Sequence, residues 1–469
     1  MTDFYFKSAR AVVEMIRSKK ISPLELMKET FARIEKINPL LNAFTHLYPE
    51  QALEQARRLT EKMASGHHPG PLYGLPIGVK DLEDVEGMIT SFGSIPFRDN
   101  IAQQDSTQVS RLKAAGAVIV GKTNTPEHGF TGFTKNRLFG TTRNPWNLDK
   151  TPGGSSGGSA AAVSGGMLAM ATGSDAGGSI RIPSSYSGCF GLKPSAGRIP
   201  AGPAPLLPMN AICVPGPLTR YVEDAALYLD CVAGYHPSDH YSVPHPGFSF
   251  LERLDHLPGG LKIAFSPTLG FARVQKDVLK RVEGGVQSFE EMGHRVELYE
   301  GDFFDPSEAW SLLMNMDIYA QIRDVLEKHK DDMGRSLVKA LSGMKSVTLE
   351  NIIEANVIRT ELNRILWRIF EDYDLLITPT MPTDAFNAEG PPPSEIDGSP
   401  IDILGAVAFT YPFNLSGNPA VSVPVGFSDK GLPVGLQIVG PRYRDDLVLQ
   451  AARAFEKARP WQDNRPRTG

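Results

Sequence analysis

Several features that assign proteins to common functional classes are scarce or missing in this chain of 469 residues. There are only three cysteines, at positions 189, 213 and 231, and they lack metal-ligand spacing. The small odd number argues against a disulfide framework or a zinc-finger pattern and predicts reduced, mostly buried thiols. The ten histidines are scattered along the chain, so we expect no metal site and no cofactor.

A large excess of charge of one sign and long apolar runs are also lacking. The 48 basic and 53 acidic residues nearly balance, which provides no broad basic surface for nucleic acid. No run of 18 apolar residues occurs, and the N-terminus has helical periodicity without the basic and apolar regions of a secretory signal. The sequence therefore predicts a cytoplasmic monomer or homodimer with a small-molecule substrate and no nucleic-acid or membrane partner.

Glycine and serine, in contrast, are concentrated between positions 151 and 193, in TPGGSSGGSAAAV and ATGSDAGGSIRIPSSYSGCFGLKP. Glycine costs more conformational entropy on folding than any other residue, so such a run in a compact domain needs a physical use. It can aim backbone N–H groups at an anion, or present a hydroxyl on a strained turn. Ser179, which follows Ala176, Gly177 and Gly178, is therefore a candidate nucleophile.

A serine nucleophile needs a base, and the glycine-rich stretch contains no histidine. His128 is the nearest upstream histidine, and we interpret it as a polar loop residue. Lys80 ends the short apolar run 75–79 and is expected to lie in the interior, where burial without a carboxylate partner lowers the pKa of a lysine. Asp81 follows directly but points to the opposite face of an extended strand, so it need not pair with Lys80.

These motifs resemble those of the amidase signature family, and the resemblance covers nearly the whole chain. It is densest between residues 151 and 194, and it also includes GAVIVGKTNTPEHGF, FNLSGNPAVSVPVGF and GLPVGLQIVG. Members of that family use a Ser-Ser-Lys triad. By motif, Ser179 matches the nucleophile, Ser155 the serine after a cis peptide bond, and Lys80 the base. The segment around Ser155 also fits the G-x-S-x-G elbow of other hydrolases, but NPWNLDKTP before it is not an apolar strand.

The resemblance also implies the supporting residues of the site. Backbone N–H groups would bind the oxyanion, and other side chains would hold the arrangement in place. The oxyanion donors implied are Ala176, Gly177, Gly178 and Ser179. The supporting side chains implied are Ser156, Asp175 and Arg181, of which Arg181 is expected to brace the loop by hydrogen bonds to carbonyl groups rather than to grip a substrate carboxylate.

The order of elements predicts an α/β protein with three α/β/α layers, in which a large mixed, mostly parallel sheet is covered by helices on both faces. We expect one domain over 1–469, with a helical part at 1–64, a catalytic core at 65–265, a helical insertion at 301–372 and a return to the sheet at 373–469. The predicted strands are 75–79, 117–120, 261–265, 375–377, 420–425 and 434–438. The predicted helices include 107–115, 159–170 and 278–292.

The substrate is less well defined by the sequence. The signature block resembles the glutamine-hydrolysing subunit of glutamyl-tRNA amidotransferase, and Arg359 stands where that subunit binds the glutamine carboxylate. However, the stretch 406–411 is apolar where that subunit has an aspartate for the glutamine amino group. We therefore favour a stand-alone amidase for a small to medium, partly apolar amide, with esters and carbamates as further substrates. A glutamine-hydrolysing subunit that works with partners is the alternative.

Two further expectations concern the walls of the site. The substrate-binding residues that we expect are Gly129, Phe130, Thr131, Leu207, Met209 and Ile212. The insertion at 301–372 is rich in aromatic residues and methionine. Such a stripe at helical spacing usually faces a core, and a hydrophobic lid is the alternative function for it.

Overall fold

A computed structural model describes residues 4–65, 70–203, 210–301 and 303–467. Leu207 and Met209 lie outside these ranges. The helices are α1 Ala9–Arg17, α2 Pro23–Leu41, α3 Pro49–Ala64, α4 Thr107–Ala114, α5 Gly157–Ser164, α6 Arg181–Ser187, α7 Val222–Val232, α8 Phe250–Arg253, α9 Lys276–Glu291, α10 Ser307–His329, α11 Arg335–Gly343, α12 Leu349–Asp372, α13 Tyr411–Ser416 and α14 Asp445–Ala458. None of these helices, within the ranges given, is long and apolar enough to span a membrane.

The strands are β1 Phe44–Leu47, β2 Pro76–Lys80, β3 Val118–Thr123, β4 Lys135–Asn136, β5 Gly140–Thr141, β6 Met170–Asp175, β7 Phe190–Lys193, β8 Val214–Thr219, β9 Lys262–Phe265, β10 Arg295–Leu298, β11 Leu375–Pro379, β12 Glu395–Ile396, β13 Ser399–Pro400, β14 Ala420–Phe427 and β15 Pro433–Val439. All six strands predicted from apolar runs are present, as are the helices predicted at 107–115 and 278–292.

The large mixed sheet predicted from the sequence is confirmed. Eleven of the strands described form one sheet in the order β1-β3-β2-β6-β8-β7-β14-β15-β11-β9-β10. The parallel pairing that alternating strands and helices predict is confined to two flanks, β3-β2-β6 and β11-β9-β10. The centre from β6 to β11 is antiparallel, because β8 returns between β6 and β7, and β14 and β15 form a hairpin.

Helices cover both faces of this sheet, so the predicted three layers are also confirmed. On β3, Ile119 packs into one apolar cluster while its neighbours Val118 and Val120 pack into another on the opposite face. On β11, Leu375 and Leu376 divide in the same way. The first face is covered mainly by α1, α4, α7, α9 and α14. The second is covered by α2, α3 and α5 at one end and by α10, α12 and α13 at the other.

Helix α5 determines where the glycine-rich segment lies. It begins at Gly157 and ends at Ser164, before Gly165, so it is shorter than the predicted 159–170, and Met170 already belongs to β6. All eight residues of α5 are buried. A Cβ on Gly158 would lie 2.2 Å from the backbone nitrogen of Asn124, so the helix passes directly against the chain that leaves β3. The segment before α5 is thereby held at the carboxyl ends of β2, β3 and β6.

Candidate active site

Lys80 lies at the carboxyl end of β2, and its side chain is only 1% exposed. Its Nζ donates hydrogen bonds to Ser155 Oγ at 2.7 Å, to Ser174 Oγ at 3.0 Å and to Ser174 O at 3.2 Å. No carboxylate of the described residues lies within ion-pair distance of this nitrogen. Burial lowers the pKa of Lys80 to about 7. The predicted interior lysine is thus an amine that can be neutral near neutral pH.

Asp81 does not pair with Lys80, as the strand geometry predicts. Its carboxylate accepts hydrogen bonds from the backbone nitrogen and the hydroxyl of Ser91 and lies 3.7 Å from Lys122 Nζ. Both Asp81 and Lys122 are fully buried. Asp81 is therefore paired with Ser91 and Lys122 in a separate cluster and forms no ion pair with Lys80.

The two serine-rich segments meet beside Lys80. The peptide bond between Gly154 and Ser155 is cis, as the resemblance implies. The backbone nitrogen of Ser156 donates to Ser179 O at 3.1 Å, and Ser156 Oγ lies 3.4 Å from both the nitrogen and the carbonyl oxygen of Ser174. Ser156 therefore connects the segment of Ser155 to that of Ser179, and it contacts Ser174, which in turn contacts Lys80.

A buried ion pair holds the loop that precedes Ser179. Arg181 donates to both carboxylate oxygens of Asp175, at 2.9 and 3.0 Å, and Asn414 donates to one of them at 2.8 Å. Burial by itself would raise the pKa of Asp175, but the charge and hydrogen bonds of Arg181, with Lys193 and Asn414, lower it overall. The carboxylate therefore stays ionised in the interior.

Arg181 has three further acceptors, which are Thr410 O at 2.9 Å, Gln437 Oε1 at 2.7 Å and Asn414 Oδ1 at 2.6 Å. It is fully buried, and none of these contacts leaves it open to a ligand. Arg181 thus joins the loop to β15 and α13, and it contacts a carbonyl group as predicted.

One predicted oxyanion donor is wrong. The backbone nitrogen of Gly178 donates to Asp175 Oδ1 at 2.7 Å, so this N–H group is occupied by the carboxylate that anchors the loop. Ala176, Gly177 and Ser179 have N–H groups without an acceptor among the residues that the structure describes. These three groups remain as candidate donors, and the partly exposed Ser179 hydroxyl likewise has no described hydrogen-bond partner.

The carbonyl groups of the same loop are all anchored. Ala176 O accepts from Trp310 Nε1 at 2.7 Å, and Gly177 O accepts from Thr410 Oγ1 at 2.6 Å. Gly178 O accepts from the backbone nitrogen of Ile182 at 2.7 Å. Every peptide group from Ala176 to Ser179 is therefore fixed on its carbonyl side.

Sequence reasoning missed four of these residues, namely Ser174, Trp310, Thr410 and Asn414. Ser174 lies in the glycine- and serine-rich stretch itself, so its hydroxyl close to the candidate nucleophile is a signal that could have marked it. Trp310, Thr410 and Asn414 come from distant parts of the chain. Trp310 lies in the aromatic-rich insertion and Asn414 in the motif FNLSGNPAVSVPVGF, but neither pattern indicates a contact with this loop.

The predicted wall residues that are described have different surroundings. Gly129 lies against Ser155, because a Cβ on it would be 3.1 Å from Ser155 Oγ. Phe130 packs against the cluster formed by α10 and α11, and Thr131 Oγ1 donates to the backbone of its own loop. Ile212 is only 1% exposed and packs in the cluster of α10, α12 and α13. Leu207 and Met209 are outside the described residues.

His128 is a packed loop residue, as interpreted from the sequence. Its ring stacks on Phe92, with centroids 5.6 Å apart, and contacts Phe97 edge to face. Burial lowers the pKa of His128 to about 4.

All three cysteines are free, with Cys189 buried. In the described ranges, no group of three histidine, cysteine or acidic side chains has a geometry that could hold a metal ion.

Two observations bear on the substrate. Arg359 Nε donates to Leu415 O at 2.8 Å, and this half-buried side chain is thereby tied to α13. Ala408, in the stretch where the amidotransferase subunit has an aspartate, is 1% exposed and packs in an apolar cluster. The stretch 406–411 therefore provides no carboxylate for an ammonium group.

Comparison with known proteins gives a consistent result. The family model described as Amidase matches residues 25–449. The chain is 37% identical to an acylamidase of Rhodococcus erythropolis, over 99% of this chain and 98% of that protein. It is 34% identical to a glutamyl-tRNA(Gln) amidotransferase subunit of Carboxydothermus hydrogenoformans, over 99% of this chain and 100% of that protein. In structure it matches a bacterial aryl acylamidase of the amidase signature enzymes with a TM-score of 0.94 and 33% identity, covering 98% of each chain. The chain therefore belongs to the amidase signature family and is an amide-hydrolysing enzyme.

Proposed function

We propose that this enzyme is a stand-alone amidase that cleaves its substrate through an acyl-enzyme on Ser179, with Ser155 and Lys80 as its proton relay. The observation that carries the proposal is the 2.7 Å hydrogen bond between Lys80 Nζ and Ser155 Oγ, made by a buried amine with a pKa of about 7. A neutral lysine can accept a proton, and Ser155 is the hydroxyl through which that proton arrives.

Acylation begins when Ser179 Oγ attacks the amide carbonyl carbon. The Ser179 proton passes to Ser155, whose own proton passes to Lys80, and a tetrahedral oxyanion forms. Backbone N–H groups of Ala176, Gly177 and Ser179 stabilise that oxyanion, and one such donor contributes about 3 kcal/mol in comparable enzymes. The ammonium of Lys80 then returns the proton through Ser155 to the substrate nitrogen as the C–N bond breaks.

Deacylation uses the same groups with water in place of the serine hydroxyl. Water attacks the ester carbonyl carbon and transfers a proton through Ser155 to Lys80, and the proton returns to Ser179 Oγ as the C–O bond breaks. Amides need this relay more than esters do, because an amine anion is a very poor leaving group. Esters and carbamates share the tetrahedral intermediate, so we expect the site to hydrolyse them as well.

The apolar surroundings support a partly apolar amide as substrate. Phe130 packs with the aromatic and aliphatic side chains of α10 and α11, and Gly129 lies beside Ser155. The acylamidase relatives point in the same direction. We assign supporting roles to Ser156, Asp175 and Arg181, and their contacts with the loop and with Ser174 support this assignment. We expect the chain to act as one domain over 1–469 in the cytoplasm, as a monomer or homodimer.

The alternative is a glutamine-hydrolysing subunit that delivers ammonia to a partner. It is favoured by the presence of Arg359 and by the 34% identity to an amidotransferase subunit over nearly the whole chain. The apolar environment of Ala408 weighs against it, since a glutamine ammonium would lack a carboxylate there.

The test is hydrolysis by the purified chain without partner or ATP, on an aryl amide, a matched ester, a matched carbamate and glutamine. We expect turnover of the aryl amide by the wild type and loss of at least about 1,000-fold in Ser179→Ala. Ser184→Ala, a buried serine in α6, is the matched control and should retain activity. Turnover of glutamine but of none of the other three substrates would support the alternative. Hydrolysis at wild-type rates in Ser179→Ala would exclude Ser179 as the nucleophile.

A further inference from the structure

The indole of Trp310 contacts the loop that precedes Ser179 from an element far away in the sequence. Trp310 lies in the first turn of α10, is 7% exposed, and donates from Nε1 to Ala176 O at 2.7 Å. Within the described residues, no other group donates a hydrogen bond to Ala176 O. The helical insertion is therefore connected directly to the candidate oxyanion site.

The hydrogen bond from Trp310 to Ala176 O also affects the direction of a neighbouring N–H group. The peptide group that joins Ala176 to Gly177 is not among the cis bonds of the described chain, and in a planar trans peptide the carbonyl and the N–H point in opposite directions. Anchoring Ala176 O therefore also sets the direction of the Gly177 N–H group. Thr410 anchors the next carbonyl, but the N–H of that peptide belongs to Gly178 and is taken by Asp175.

Packing fixes the indole itself. A Cβ on Gly177 would lie 2.3 Å from Cζ2 of Trp310, so the ring rests directly on the backbone of this glycine. The ring also stacks on Tyr411, with centroids 5.3 Å apart and an interplanar angle of 25°. Tyr411 in turn donates from its hydroxyl to Asp305 Oδ1 at 2.7 Å. The donor of the hydrogen bond to Ala176 is thus held by its neighbours.

We propose that Trp310 is a positioning residue that orients the Gly177 N–H group toward the oxyanion of the tetrahedral intermediate. This inference rests on the proposed function, because it assumes that an oxyanion forms next to Ser179. Trp310 does not contact the reacting atoms, so it should affect stabilisation of the transition state more than binding of the substrate.

The first test is Trp310→Phe, which keeps an aromatic ring but removes the N–H donor. We expect kcat to fall by about 10- to 100-fold while KM stays within about 2-fold, since the ground-state amide uses the oxyanion donors less. Trp146→Phe is the matched control. Trp146 Nε1 also donates to a backbone carbonyl at 2.7 Å, but that carbonyl belongs to Ser187 at the end of α6. We expect this control to lose stability to a similar degree and to keep kcat.

The second test uses a peptidyl-type aldehyde or boronic acid matched to the acyl part of a working substrate, which forms a tetrahedral adduct with a serine hydroxyl. In Trp310→Phe, its inhibition constant should rise by about the same factor as kcat/KM falls. Binding of the unreacted amide, measured in a Ser179→Ala background, should be unchanged. A residue with a merely structural role would not produce this split.

The third test is a double-mutant cycle with Gly177→Ala, whose added methyl would meet the larger ring of Trp310. We expect Gly177→Ala to reduce kcat/KM strongly in the wild type and several-fold less in Trp310→Phe, where the benzo ring is absent. The inference is overturned if Trp310→Phe has wild-type kcat and wild-type inhibition by the adduct former while Ser179→Ala is inactive. If Ser179→Ala is active, or no adduct forms with the wild type, the proposed function fails instead.

Discussion

The amine of Lys80 and the hydroxyl of Ser155 form a 2.7 Å hydrogen bond in the interior of the protein, with exposures of 1% and 2%. In water, this lysine would be protonated at neutral pH, with a pKa of 10.5. Burial without an adjacent carboxylate makes the ammonium costly, so the amine can be neutral near pH 7 at the point where the serine segments meet.

This burial has a measurable cost in stability. The pKa of Lys80 falls from 10.5 in the unfolded chain to about 7 in the folded protein, so the unfolded chain binds more protons between these values. Stability from this group therefore rises with pH across that window, and the full penalty is present below pH 7. We expect Lys80→Met to be inactive but more stable by about 1–4 kcal/mol below pH 7.

Urea denaturation of Lys80→Met and wild type at several pH values checks this expectation. The difference should shrink as pH rises above 7. Lys339→Met, which replaces an exposed lysine on α11, is the control and should change stability by less than about 0.5 kcal/mol. A destabilised Lys80→Met at low pH would show that the lysine is stabilised by its surroundings rather than strained by them.

Ser174 is expected to orient the amine. Its hydroxyl and carbonyl both accept hydrogen bonds from Lys80 Nζ, and Ser174→Ala removes the first. A net loss of one such bond should reduce kcat/KM by about 2- to 10-fold. Ser164→Ala, which removes a hydroxyl from α5 that bonds to Ser187 O, should leave kcat/KM unchanged. Steady-state kinetics on one amide distinguish the two variants. Equal losses of kcat/KM in both would show that Ser174 does not orient the amine of Lys80.

The pair formed by Asp175 and Arg181 should dominate local stability. Arg181→Met leaves a buried carboxylate without its partner, for which we expect a loss of about 3–5 kcal/mol. Arg364→Met breaks an exposed pair on α12 and should cost less than about 1 kcal/mol. Thermal or urea unfolding measures both, and similar losses would contradict the account.

The pair of Asp175 and Arg181 also determines how the free energy of unfolding changes at low pH. Burial opposes ionisation of Asp175, but Arg181 outweighs it and lowers the pKa below the ordinary value of 3.8. A carboxyl with a lowered pKa stabilises the fold above its unfolded value and loses that contribution as pH falls. We expect wild-type stability to fall below about pH 4, and less steeply in the double variant Asp175→Asn with Arg181→Met.

Local patterns in the sequence were sufficient for six strands of the sheet, which are β2, β3, β9, β11, β14 and β15. Each predicted strand is a short apolar run buried on both faces, such as Leu375–Pro379. The central strands β6, β7 and β8 were not predicted, because glycine, threonine and proline replace the apolar run. Strand β8, Val214–Thr219, contains two prolines, which normally argue against a central strand. Its pairing depends on long-range packing that no local pattern records.

The candidate site divides in the same way. Lys80 and Ser179 were marked as candidates by local patterns of glycine and apolar residues, and Ser155 was marked by the resemblance to the amidase signature family. The N–H group of Gly178 was assigned wrongly because the direction of a peptide group in a loop depends on its acceptor, here Asp175. Trp310 and Asn414 could not be found, since only folding brings α10 and α13 to the loop.

The central claim is that neutral Lys80 receives the Ser179 proton through Ser155. The pH dependence of kcat/KM for an amide and its matched ester, in the wild type and in Lys80→Ala, tests it most directly. We expect wild-type kcat/KM to fall on the acid side with an apparent pKa of about 7. Lys80→Ala should lose this pH dependence, and its kcat/KM should fall much more for the amide than for the ester. A wild-type profile that is flat from about pH 5 to 9, or equal damage to both substrates, would contradict the account.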